Sequence, residues 1–247
     1  MRALLQLRPL TGALRLPIHH QHLLQAAAYH LFSPAVARYL HDRGFAVNQK
    51  TFRLFTFSRL EGPYRLEAQS VSFRGALRWT ISSPLDLVVS DVANVLLREA
   101  EVRLGSNRLM VESITVQRPV VEAEHLVVRT LSPITVHQTV WRPDGRPYQL
   151  HLHPKDRHFQ TLVAENLWQK YQAVHGWAIP TEKPLTIEPV GTAREHILLY
   201  KGGVIKGYTG RFYLTGPLPL LQLAIDAGVG SRNAQGFGLV EMVGEGA

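Results

Sequence analysis

Eleven residues, Gly228-Val229-Gly230-Ser231-Arg232-Asn233-Ala234-Gln235-Gly236-Phe237-Gly238, place four glycines and one arginine in a single loop. Glycine lacks a Cβ, so it takes positive φ freely and lets main-chain N–H groups come close to a neighbour. An arginine among such groups favours an anionic neighbour. The flanking pattern limits the fold further. Pro217 to Ala227 carries Leu220, Leu221, Leu223, Ala224 and Ala227 on the apolar side of a short helix, and Phe237 to Val243 reads as a final strand. A dinucleotide fingerprint would follow a strand and open a helix, which is the reverse order. The pattern favours a nucleic-acid backbone as ligand, since a plain turn needs only one or two glycines.

Charge points the same way. With 27 Lys+Arg against 19 Asp+Glu the formal net charge is +8 and the isoelectric point is near 10.0, the footprint of a nucleic-acid binder, although an acidic lipid surface would satisfy it equally. No stretch approaches the roughly 18 apolar residues of a membrane span, so the reading is a cytoplasmic protein with no membrane partner. The absence of cysteine excludes disulfides, thiolate metal sites and a thiol nucleophile.

Two halves of similar design follow one another. The first opens with a strand from Arg2 to Arg8 and a helix after Pro17 whose Leu24, Ala27, Ala28 and Leu31 form an apolar stripe. Ser33-Pro34 starts a second short helix, with Val36, Tyr39 and Leu40 inward, His41 in its last turn and Gly44 ending it. Strands at Thr51–Phe57 and Phe73–Ile81, a helix at Leu85–Arg98 and a hairpin at Glu101–Val116 complete the order β, α, β, β, α, β of a ferredoxin-like domain. After Arg118-Pro119 the order restarts. A strand His125–Thr130 turns at Ser132-Pro133 into a partner strand Ile134–Trp141, followed by a helix from about Asp156 to His175. Strands at Leu185–Val190, Ile197–Tyr200 and Val204–Leu214 precede the last helix, the glycine loop and the final strand. The expected architecture is α+β, two tandem ferredoxin-like (RRM-like) domains with antiparallel sheets, at residues 1–120 and 124–247.

The glycine loop, Tyr29, the segment Tyr39-Leu40-His41, the run Arg53-Leu54-Phe55-Thr56-Phe57-Ser58 and Ser132-Pro133-Ile134 occur in the order found in one family. Together they resemble the repeat-associated RNA-binding (RAMP) superfamily of CRISPR systems, and within it the sixth Cas family, the endoribonucleases that cut precursor CRISPR RNA within each repeat. The resemblance implies CRISPR repeat RNA as partner, a cut that uses no metal and no other cofactor, and an active site made of a helical tyrosine, a histidine and a lysine. Carried onto this chain, these are Tyr29, His41 and the position of Arg53. Arginine there departs from the pattern, and Lys50, three residues upstream, is the alternative cation. A homodimer and effector-complex partners are compatible with the family, but no stretch marks an interface.

The chemistry requires little of the protein. RNA carries its own nucleophile, the 2′-hydroxyl beside the scissile phosphate. The protein must remove that proton, donate one to the departing 5′-oxygen and stabilise the charge between them. Histidine suits the proton steps, so His41 is assigned as general base or acid. Tyr29 supplies the complementary proton or orients the hydroxyl, and Arg53 or Lys50 binds the non-bridging oxygens. The expected products are a 2′,3′-cyclic phosphate and a 5′-hydroxyl. Beyond the cut, Gly228, Gly230, Ser231, Arg232, Asn233, Gly236 and Gly238 are expected to bind RNA, as are Lys206 and Arg211 on a hairpin shared with Tyr200, Tyr208 and Tyr213.

Plainer readings compete. His41 could only cap a helix, Tyr29 could be core and Arg53 a solvated strand face. Clusters such as His19-His20-x-His22 and His151-x-His153 have metal-like spacing but no acidic companion, and surface histidines that assist RNA binding are the better account. The alternative function is a non-catalytic CRISPR RNA-binding protein or effector-complex subunit.

Overall fold

A computed structural model describes residues 1–177 and 183–244. Two sheets, each with its own apolar core, follow one another along the chain. In the first, the strand Arg2–Pro9 is central, pairing antiparallel with Leu77–Ser82 on one side and with Asn107–Gln117 on the other. Thr56–Phe57 lies outside the former and Glu101–Leu104 outside the latter. Helices α1 (Gln21–His30), α2 (Pro34–Arg38) and α3 (Asp86–Glu99) belong to this half. The strand side chains Ala3, Leu5 and Leu7 alternate onto one face, where they meet Leu24, Ala27 and Ala28 of α1 and Val88, Val89, Val92 and Leu96 of α3.

The second sheet repeats the plan. His125–Thr130 is flanked by Gly203–Thr215 and Val240–Met242, with Thr186–Tyr200 beyond Gly203–Thr215. Helices α4 (Arg157–His175) and α5 (Leu218–Ala227) bury Phe159, Val163, Leu167, Leu220, Leu221 and Ala224 against Val128, Ile187, Phe212 and Leu214. In both sheets the last strand of the β, α, β, β, α, β order lies beside the first, and the first beside the third. The fold is α+β with tandem ferredoxin-like antiparallel sheets.

Several local expectations are corrected. The run Thr51–Phe57 is not one strand. Lys50–Phe52 pairs with Phe45–Val47, Thr56–Phe57 joins the main sheet, and Leu54 between them takes φ 51°. A leucine in that region costs about 1–2 kcal/mol, and its carbonyl is held by the buried Ser83 hydroxyl at 2.7 Å. Phe73–Ile81 breaks at Gly75 (φ 78°) into Ser70–Arg74 and Leu77–Ser82. Ile134–Trp141 does not pair with His125–Thr130. Its C-terminal part, His137–Trp141, pairs instead with Pro147–His151, because the turn at Pro143-Asp144-Gly145 brings that nearer partner back. Leu185–Val190 and Ile197–Tyr200 form one strand, Thr186–Tyr200, irregular between Val190 and Arg194. The final strand shortens to Val240–Met242, since Gly238 N–H and Leu239 C=O bond to Pro133 and Leu131 instead. Tyr39 is exposed, not inward.

The two halves are fastened along one seam. The Met1 ammonium bonds Asp226 at 2.6 Å, Arg2 Nη2 donates to the Ile225 carbonyl at 2.7 Å, and the Ser82 hydroxyl donates to the Asp226 carbonyl at 2.8 Å. Gln21 Nε2 donates to the carbonyls of Gln235 at 2.6 Å and Gly236 at 3.2 Å, and the Thr56 hydroxyl to that of Phe237 at 3.0 Å. These bonds set the walls of the cleft described next.

Candidate active site

A cleft of about 630 Å³ opens between the halves. Tyr29 of α1, His41, Lys50 and Arg53 line it from one side; His137, Lys170 of α4 and the segment Gly230–Gln235 line it from the other. All four residues expected at the centre of the chemistry thus share one cavity.

His41 owes its position to an unusual turn. Pro34 opens α2 behind Ser33, whose N–H donates to Asp91 at 2.7 Å. The helix then widens into a π turn over Tyr39–Arg43, closed by Gly44 (φ 61°), whose N–H reaches the Tyr39 carbonyl at 2.8 Å. A Cβ at Gly44 would lie 2.6 Å from the Phe52 carbonyl oxygen, so glycine is required there. The wide turn buries Leu40 and leaves the His41 side chain 72% exposed. His41 does not cap the helix. Its Nδ1 faces Asp42 Oδ1 at 2.8 Å, a carboxylate that fixes the ring and leaves Nε2 toward solvent.

Tyr29 stands 5.7 Å from the His41 ring, edge-on at 76°, and packs edge-on against Phe55 and Phe32. It is core on one side and cleft on the other. Burial pushes its phenol up, while the Arg53 charge and hydrogen bond oppose that shift. Arg53 donates from Nη2 to the His41 carbonyl at 2.9 Å and from Nη1 to the Thr51 carbonyl at 3.2 Å. Its guanidinium therefore braces the histidine turn. Lys50 is exposed on the small strand beside it.

The glycine loop does something the sequence did not reveal. Gly228, Gly230, Gly236 and Gly238 all have positive φ. A Cβ at Gly238 would fall 1.9 Å from the Val229 oxygen, and one at Gly236 would fall 2.2 Å from Gln21 Nε2 and Phe57. The amides of Gly228, Val229, Ser231, Gly236 and Gly238 bond to carbonyls of Ala224, Gly238, Thr135, Asn233 and Pro133. Asn233 Nδ2 closes the loop onto Val229 and Phe237. The glycines thus permit close packing, and among the loop's side chains it is Arg232 that brings positive charge to the cleft. Arg232 donates to Gln149 at 2.5 Å and Gln235 at 3.2 Å.

Beneath the loop lies Lys170, fully buried, donating from Nζ to the Gly228 carbonyl at 2.7 Å and the Gly230 carbonyl at 3.2 Å. Burial lowers its pKa to about 7. Lys170, Asp42 and His137 were not recognised in the sequence. Asp42 is adjacent to His41 and carried a readable signal; Lys170 and His137 reach the site only through the fold. Lys206 lies 3.5 Å from Glu195, and Arg211 sits on the strand Gly203–Thr215; neither lines the cleft. Tyr200 and Tyr208 are buried, so of the three hairpin tyrosines only Tyr213 presents its ring.

Comparison with known proteins bears on the family and the fold. The sequence profile described as "CRISPR associated protein Cas6, C-terminal" matches residues 116–242, and that described as "CRISPR-associated protein Cas6, N-terminal" matches residues 15–115. A protein of Pyrococcus furiosus named CRISPR-associated endoribonuclease Cas6 is 28% identical, over 99% of this chain and 90% of its own. One of Methanocaldococcus jannaschii, CRISPR-associated endoribonuclease Cas6 1, is 25% identical over 91% of this chain and 86% of its own. Among solved structures, one titled as a Cas6-related gene product from Pyrococcus furiosus superposes with a TM-score of 0.86 at 20% identity, covering 99% of both chains. Another, titled as a RAMP protein binding different RNA substrates, gives 0.84 at 20% identity over 99% of this chain and 100% of its own.

Proposed function

The chain belongs to the Cas6 family of CRISPR-associated proteins, and we propose that it is an endoribonuclease that cuts precursor CRISPR RNA within its repeats. Relatives named as CRISPR-associated endoribonucleases along nearly the whole chain support the activity. The observation that carries the mechanism is the cluster of Tyr29, His41 and Arg53 on one wall of a cleft whose other wall offers Arg232.

In the proposed reaction the 2′-oxygen of one nucleotide attacks the adjacent phosphorus in line. The P–O5′ bond breaks, leaving a 2′,3′-cyclic phosphate and a 5′-hydroxyl. His41, held by Asp42 through Nδ1, exchanges a proton at Nε2 with one of the two oxygens. Tyr29 orients or protonates the other. Arginine does not exchange protons at working pH, so the cationic role is one of charge. Arg53 and Lys50 neutralise the non-bridging oxygens from one side, and Arg232 holds the backbone from the other. Because the nucleophile belongs to the RNA and these cations can meet the developing charge, the route needs no metal.

The test is His41→Ala against wild type on repeat RNA. General acid–base groups contribute about 10²–10⁴ in rate, so the variant should retain binding and lose cleavage by that factor. Undiminished cleavage would remove His41 from the mechanism, and a wild-type protein that binds repeat RNA without cutting would favour the non-catalytic alternative.

A further inference from the structure

His137 is the second imidazole of the cleft, and it comes from the opposite half of the chain. It begins the strand His137–Trp141, directly across from His151, with ring centroids 5.6 Å apart. Its Nδ1 lies 3.1 Å from the Ser231 hydroxyl oxygen. The same hydroxyl lies 3.0 Å from the Thr135 carbonyl, which can only accept, so its one proton is assigned to that carbonyl. The Ser231 oxygen can then only accept from His137, so Nδ1 carries the hydrogen and Nε2 is left with a lone pair. Among the described residues Nε2 has no hydrogen-bond partner. Burial, followed by the charges of Arg232, His151 and Lys50, lowers the ring's pKa to about 4, so it stays neutral at working pH.

A neutral acceptor set among cations has a specific use on RNA. Arg232 and Lys50 draw phosphate oxygens toward this part of the cleft, yet phosphate offers no hydrogen to an acceptor. The donor that every ribonucleotide carries next to its phosphate is the 2′-hydroxyl, which is also what distinguishes RNA from DNA. We infer that in the bound ground state His137 Nε2 accepts a hydrogen bond from the 2′-hydroxyl of the nucleotide 5′ to the cut, positioning the nucleophile; as the oxygen attacks, that one proton leaves for the general base of the reaction above and His137 stays neutral. The inference rests on the ribonuclease reading above and adds a substrate contact from the second half. His137 would then help to select ribose at the scissile position, with Ser231 fixing its tautomer.

The test is a binding cycle that does not depend on turnover. Products of the wild-type enzyme first locate the scissile nucleotide. In the His41→Ala background, dissociation constants are then measured for repeat RNA and for the same RNA with 2′-fluoro at that nucleotide, a group that keeps the sugar pucker but cannot donate. One neutral hydrogen bond corresponds to roughly a fivefold change. The fluoro substitution should weaken binding by about that factor in His41→Ala, and adding His137→Phe should weaken binding of the all-ribose RNA equally. Both changes together should cost no more than one. Multiplying effects, or no effect of either, would overturn the inference, as would a His137→Phe loss that tracks the identity of a base. His137→Gln, which keeps an acceptor, should retain sensitivity to the fluorine; a double variant that no longer melts cooperatively is replaced by this one. Failure of the parent reading is separate, since it shows as uncut repeat RNA with the wild-type enzyme.

Discussion

Replacing Gly238 by alanine tests whether the glycine loop is a packing device. Gly238 and Gly145 both have φ +75°, so an alanine at either pays the same left-handed cost, about 1–2 kcal/mol. A Cβ at Gly145 has nothing within 4 Å, whereas at Gly238 it would lie 1.9 Å from the Val229 oxygen and 2.8 Å from Asn233 Nδ2. No rotamer relieves a contact with backbone, so the loop must part. The Val229 N–H to Gly238 bond (2.8 Å) and the Gly238 N–H to Pro133 bond (2.9 Å) are then strained or lost, each worth about 1 kcal/mol and more where a buried group stays unpaired. Gly145→Ala should therefore cost about 1–2 kcal/mol and Gly238→Ala about 3–5 kcal/mol, a large share of a typical stability. Urea unfolding followed by circular dichroism measures both. Equal costs at the two positions would refute the packing account and return the loop to a role in presenting free amides.

Two further outcomes follow from the site. Lys170 releases its proton near pH 7 when folded, whereas an unfolded lysine holds it to about 10.4. Across that interval the unfolded chain binds the extra proton, so this residue makes stability rise with pH. Between pH 7 and 9 the stability of wild type relative to Lys170→Met should grow by roughly 2 kcal/mol; a flat difference would mean the buried ammonium keeps its proton. Arg53 braces the His41 and Thr51 carbonyls as well as lining the cleft. Arg53→Ala should lower the single-turnover cleavage rate by about 10²-fold, Arg53→Lys should restore little of it because it lacks the planar two-nitrogen fork that meets the Thr51 and His41 carbonyls from Nη1 and Nη2, and Lys50→Ala should cost less. Loss in the reverse order would make Lys50 the principal cation.

The sheets were legible because their signals are local and periodic. Alternation in Arg2–Arg8 and apolar stripes such as Leu24, Ala27, Ala28 and Leu31 belong to ferredoxin-like halves and recur in the structure. What sequence could not show was decided by tertiary competition. Thr51–Phe57 alternates well enough for one strand, but the Ser83 hydroxyl captures Leu54 and the chain changes sheets there. Ile134–Trp141 has no preference for His125–Thr130 once Gly145 brings Pro147–His151 alongside. The same distinction governs the site. Tyr29, His41, Lys50 and Arg53 lie close in sequence and carry a recognisable spacing, whereas Lys170 and His137 are 58 and 94 residues from their partners Gly228 and Ser231. The glycines themselves were conspicuous, but their purpose depends on Gln21, Phe57 and Val229, which only the folded chain brings against them.

The most direct measurement is the chemistry of the new ends. Repeat RNA cut by the wild-type protein in the presence of a chelator, with both fragments weighed by mass spectrometry, should give an upstream fragment ending in a 2′,3′-cyclic phosphate and a downstream fragment beginning with a 5′-hydroxyl. A 5′-phosphate with a 3′-hydroxyl, or cleavage that stops when divalent ions are removed, would contradict attack by the 2′-oxygen between His41 and the cations of the cleft.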